Sequence, residues 1–152
     1  MCIRDRIKTV FNELKNELDL IELIDEHLLD KLHKPQLFLS LFSEKLLTHW
    51  ADERQQKIFR ILLLEQFSTH GLNIKVDYAS EKSKEVWIII FNEMMQHKII
   101  KKQNIEIVSN EFIAPLFFIR FKYLSSTTDS NLPTALREAA QHVEYFWNSI
   151  KI

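Results

Sequence analysis

The sequence predicts an all-α fold of about six helices, and three observations carry that expectation. Glycine occurs once, as Gly71, and proline three times in 152 residues, so the many tight turns of a β-sandwich or barrel are out of reach. Apolar residues recur at steps of three and four along most of the chain, the period of helices with one buried face. The longest apolar run, Phe112 to Leu124, contains both Pro115 and Arg120. At about 100° per residue it resolves into two apolar rows where a surface helix needs one.

Each element follows from local pattern. Ile7, Phe11, Leu14, Leu18, Ile21, Leu28 and Leu32 alternate steps of four and three, with Asp25 in the one polar gap. That spacing predicts a first helix from Ile7 to about His33, with a break near Asp19 as the alternative. Lys34-Pro35 ends it, because a residue before proline avoids helical angles. A second helix opens on Pro35 and buries Leu37, Phe38, Leu41, Phe42, Leu46 and Trp50. Ala51-Asp52 caps a third, from about Glu53 to Thr69, whose middle turn (Ile58 to Leu64) is apolar nearly all round and is expected at the centre of the domain. Gly71 is suited to a left-handed C-terminal cap.

The fourth helix is expected from about Val76 to Lys98, with Val86, Trp87, Ile90, Phe91, Met94 and Met95 inward. Asn104 is a candidate N-cap for the central helix, in which Pro115 removes a backbone hydrogen bond and bends the axis. The polar stretch Ser125 to Asn131 reads as an exposed loop. A last helix from Pro133 to about Ile150 puts Ala135, Leu136, Ala139, Ala140, Val143, Phe146, Trp147 and Ile150 on one face. The two rows of the central helix, Ile105, Val108, Phe112, Leu116, Ile119, Tyr123 and Ile113, Phe117, Phe121, Leu124, suggest burial on two fronts. One front is the chain's own core and the other a second subunit.

Composition excludes more than it names. Apolar residues make up 46% of the chain and charged residues 27%, with a net charge of -1. This suffices for one core and gives no basic field for nucleic acid. One glycine cannot assemble a phosphate-binding loop. A single cysteine, Cys2, and the charged start Met1 to Arg6 fit a reducing cytoplasm without a leader. The apolar run is too short to cross a membrane. Residues 1 to 6 are similar to a translated sequencing-adapter remnant, which leaves residues 7 to 150 as a single helical domain.

Catalytic chemistry finds no support. No serine sits in a nucleophile elbow, and the carboxylate pairs Asp25/Glu26 and Glu106/Glu111 have no partner cleft in the pattern. The spacing of His27, Asp30 and His33 would let them share a cation, but no motif backs a metal and a solvated face is the simpler reading. No catalytic residue, metal or cofactor is expected. The aromatic and methionine set Trp50, Phe59, Leu63, Phe67, Trp87, Phe91, Met94, Met95 and Phe117 would line either an apolar effector pocket or an ordinary core. Arg120 lies between the two rows of the central helix. It needs a partner (Glu138 or Glu144 in the same or a second subunit, or an acidic ligand), unless its head reaches solvent along its stem.

Three passages carry a family resemblance. Lys57 to Phe67, Trp87 to Ile100, and Glu111 to Leu124 followed by His142 to Trp147 resemble, in order and pattern, the regulatory domain of the TetR family of transcription repressors. The resemblance covers about residues 7 to 150. It implies a small apolar or amphipathic effector in the pocket set above, and a homodimer through a four-helix bundle of the last two helices. The interface would use Phe112, Leu116, Ile119, Arg120, Tyr123, Ala139, Val143, Phe146 and Trp147. It also implies operator DNA, but only through a basic helix-turn-helix headpiece that nothing in this sequence matches. An effector would then move the connecting helix, Ile7 to Leu32, and effector and operator would weaken each other's binding by one factor. A helical interaction domain without a ligand is the rival reading.

Overall fold

The computed structural model describes residues 3–5, 23–65, 76–125 and 130–152. Asp25 has extended backbone (φ -82, ψ 175), and its side chain accepts the Leu28 N–H to open a short helix α1, Glu26–Leu29. A 3-10 turn, Asp30–His33, follows directly. The expected continuous helix to His33 is thereby corrected. The polar residue filling its seam gap is an N-cap, whose extended backbone cannot lie mid-helix. Lys45 holds this corner, bonding the Leu23 carbonyl at 2.9 Å and the Asp25 carboxylate at 2.5 Å. That bond from Lys45 is the main reason the Asp25 carboxyl titrates below its usual range. The expected helix before Leu23, together with Phe67, Gly71 and Ser126 to Asp129, lies outside the described residues.

Helix α2, Pro35–Trp50, starts on its proline as expected and buries Phe38, Leu39, Phe42, Leu46, Leu47 and Trp50. Its stripe is turned slightly from the expected one, so Leu37 faces out while Leu39 and Leu47 face in. Asp52 accepts the N–H groups of Arg54 and Gln55 and caps α3, Glu53–Glu65. This helix buries Gln56 and Phe59, whereas Ile61 is 56% and Leu64 72% exposed. Its middle turn is therefore peripheral, not the centre of the domain. One buried stripe suffices to attach such a helix.

Helix α4, Val76–Gln96, closes with two bonds, Lys98 N–H to the Met95 carbonyl and Ile99 N–H to the Met94 carbonyl. These are the two bonds of a Schellman cap, with Lys98 in the left-handed position (φ 55) that glycine usually takes. The Lys101 N–H then bonds the Ile150 carbonyl, joining this connection to the end of the chain. Asn104 caps α5, Ile105–Leu124, by accepting from Glu106 and Ile107, and the helix runs unbroken across Pro115. Asn131 caps α6, Leu132–Ile150, through the Thr134 N–H.

The core lies where α6 packs on α2 and α5, and α5 on α4. Trp87 is at its centre, with ring contacts to Phe38, Phe42, Phe91 and Phe112 at centroid distances from 4.3 to 6.4 Å. Phe146 closes the far side against Phe91 and Phe112. Each such buried side chain contributes about 1.5–3 kcal/mol of transfer free energy. No helix among the described residues is long and apolar enough to cross a membrane.

Candidate functional site

Helix α5 is apolar on nearly every side, so the direction in which each residue points decides what it can do. Val108, Phe112, Leu116 and Ile119 from the first row and Ile113 and Leu124 from the second are all buried. Most of the two rows thus forms one wide inward face, from which Phe121 departs. Six of the residues expected at a subunit interface, Phe112, Leu116, Ile119, Ala139, Val143 and Phe146, are interior to the single chain. They pack between α5, α6 and the Trp87 cluster and leave little surface for a partner. Tyr123 is half-buried and donates its hydroxyl to Glu138. Trp147 is half-buried beside an open groove with Lys34, Pro35, Gln36, Leu37 and Ser40.

The outward face of α5 carries a different stripe. Ile107, Phe118 and Phe121 are 58%, 63% and 53% exposed, and Ala114 lies between them on the same side. Successive steps of seven, four and three residues align these four, so the stripe was readable from sequence once the inward direction was known.

The expected pocket set divides in two. Trp87, Phe91 and Met94 are fully buried and in close contact with neighbouring rings and side chains. They are core, and Met95 packs at its edge. Trp50, Phe59 and Phe117 form a second cluster, built around a charge. The Arg120 guanidinium lies 4.0 Å from the Phe59 ring centroid and 4.7 Å from that of Trp50. Phe117 stacks on Trp50 at 5.0 Å. Leu63, one turn beyond Phe59, is half-buried.

Arg120 is only 8% exposed. Its Nη2 donates to the Gln55 carbonyl at 3.3 Å, while its Nε is buried with no hydrogen-bond partner. Among the described residues no carboxylate pairs with it. Of the two expected acids, Glu138 is taken by Lys122 and Tyr123, and Glu144 is exposed. Burial pulls the guanidinium down to about 10, which still leaves it charged at neutral pH. Two cation–π contacts, about 1–2 kcal/mol each when desolvated, offset part of a penalty of several kcal/mol for a buried ion. Beside it Gln56 is buried too. Its Nε2 donates to the Ala51 carbonyl and Ser130 Oγ, and its Oε1 has no partner. Gln55 and Gln56 were not anticipated, although Gln56 precedes Phe59 by three residues and so shares its buried face.

No family model, no curated protein and no solved structure matches this chain. The geometry alone speaks for the site. It joins the end of α2, the start of α3 and the second half of α5 around one cation with an unmet donor. It holds no nucleophile–base pair, and such an arrangement can bind and orient an anion.

Elsewhere the Trp87 indole Nε1 and Ser109 Oγ are also buried without a hydrogen-bond partner, while several charged groups are engaged. Arg4 pairs with Glu26 and Asp30, and the His33 ring bonds the Asp30 carbonyl. His142 Nε2 donates to the Phe112 carbonyl at 2.9 Å between the Phe112 and Phe146 rings. Burial is the main reason its pKa is lowered.

Proposed function

We propose that this chain is the ligand-sensing and dimerisation domain of a TetR-like transcriptional regulator, working in the cytoplasm and without catalytic activity. A small amphipathic effector would bind at the Trp50–Phe59–Arg120 cluster, where α2, α3 and α5 meet. Operator DNA would be bound by a separate headpiece.

The observation that carries this reading is the outward stripe of α5. An exposed row of Ile107, Phe118 and Phe121 on a helix already buried on its other face is the kind of patch that marks an association surface. A second copy meeting it about a two-fold axis would bring the same stripe to itself. The effector site lies on the same helix, so a shift of α5 would be felt at both places.

Light scattering at micromolar concentration tests the assembly. The expected result is a dimer that Phe118→Glu with Phe121→Glu converts to a folded monomer. A strictly monomeric native chain would overturn the proposal. The tight ring packing around Trp87 favours a second reading, an interaction domain that takes no ligand. Under it, no small amphipathic molecule raises the thermal midpoint, whereas an effector at 100 times its Kd adds about 2.7 kcal/mol.

A further inference from the structure

We infer that Arg120 is the recognition point for the acidic head of the effector, and that the effector is an amphipathic monocarboxylate. This deepens the effector-sensing reading and rests on it. Three observations converge on the same few ångströms.

Arg120 as a residue is more than nine-tenths buried, yet no described carboxylate pairs with it. Its Nε N–H points at no acceptor, while the Gln55 carbonyl occupies only Nη2. Stable buried arginines are paired, because an ion taken from water without a counter-charge is strongly disfavoured. The two acids expected from sequence do not serve: Glu138 is held by Lys122 and Tyr123, and Glu144 is exposed. Among the described residues the Nε donor therefore lacks an acceptor, and a carboxylate supplies oxygens in the plane of a guanidinium.

The surroundings define the rest of the ligand. Trp50 and Phe59 flank the cation on their ring faces, and Phe117 extends the apolar wall from Trp50. Leu63, half-buried on the Phe59 side of α3, continues it. A tail of alkyl or aryl character fits such walls, whereas a polyanion would find one cation and three aromatic rings.

The test compares acids with uncharged isosteres on the purified chain. Decanoate and 4-phenylbutyrate are titrated against decanol and 4-phenylbutanol at neutral pH, by calorimetry and by thermal midpoint. At least one acid should bind about tenfold more tightly than the alcohol with the same tail, the discrimination expected of one charge-assisted contact. Arg120→Met should remove that preference, so that acid and alcohol bind alike, and Arg120→Lys should keep part of it.

Equal binding of acid and alcohol by the native chain would overturn the role of Arg120 while leaving an effector site in place. Unaltered acid binding by Arg120→Met would do the same. No binding of any of the four would overturn the inference and the effector site together, with the dimer still judged by light scattering. The comparison on the native chain stands even if the methionine variant fails to fold.

Discussion

Trp87 and Trp50 each belong to a cluster of rings, one closed and one built around a cation. Around Trp87 the neighbours are Phe38, Phe42, Phe91 and Phe112, all with no exposed surface. Around Trp50 they are Phe59, Phe117 and the Arg120 guanidinium. The same residue types at the same helical spacing have become packing in one place and a candidate binding site in the other. Both clusters hold an unmet buried donor, the Trp87 indole Nε1 in one and the Arg120 Nε in the other, and the difference is that only the second carries a charge.

Three measurements bear on that contrast, and a fourth lies outside it. Trp87→Ala opens a cavity in a closed cluster and should cost about 3–5 kcal/mol in urea denaturation. A loss under about 2 kcal/mol would show that the first cluster is loosely packed after all. Arg120→Met replaces a buried charge by an apolar side chain of similar length, so without ligand it should be neutral or stabilising. A loss above about 2 kcal/mol would instead make the cation–π sandwich a structural staple.

The pH dependence probes the first cluster from its edge. His142 has a folded pKa below 6.5 because burial beside Phe112 and Phe146 disfavours its charged form. The unfolded chain then binds the proton more readily than the folded one. Stability should thus be full above pH 6.5 and fall as pH drops from there, by at most about 1.4 kcal/mol per pH unit for one proton. His142→Gln should flatten that slope, and an unchanged slope would assign it to other histidines. The smallest effect lies away from both clusters. Lys98 holds a left-handed position, and Lys98→Gly should gain about 0.5–1 kcal/mol, read as a rise in thermal midpoint.

Much of this was legible in sequence because caps and periods are local. Asp52, Asn104 and Pro35 open the helices expected of them. Asp25 shows the limit: as a polar interruption of a heptad seam it was read as a gap, although Asp followed by Glu26 is also an N-cap signature. Direction was the harder quantity. Helical angles separate Phe112 from Phe118 without saying which faces inward, because that depends on α4 and α6, distant in sequence. Arg120 was visible as misplaced among apolar neighbours. The identity of its surroundings was not, since Trp50 and Phe59 reach it from two other helices.

The bond from Lys101 to the Ile150 carbonyl, with Ile100 bridged to Lys151, has a consequence for how the fold opens. It closes α5, the following loop and α6 into a single ring of chain. Closing so long a loop is entropically costly unless the helices within it are already packed. Amide hydrogens of α5 and α6 should therefore exchange together as one cooperative unit and more slowly than those of α3. Removing Lys151 and Ile152 would not touch the Trp87 rings, yet it would let that ring of chain fray from its tied end.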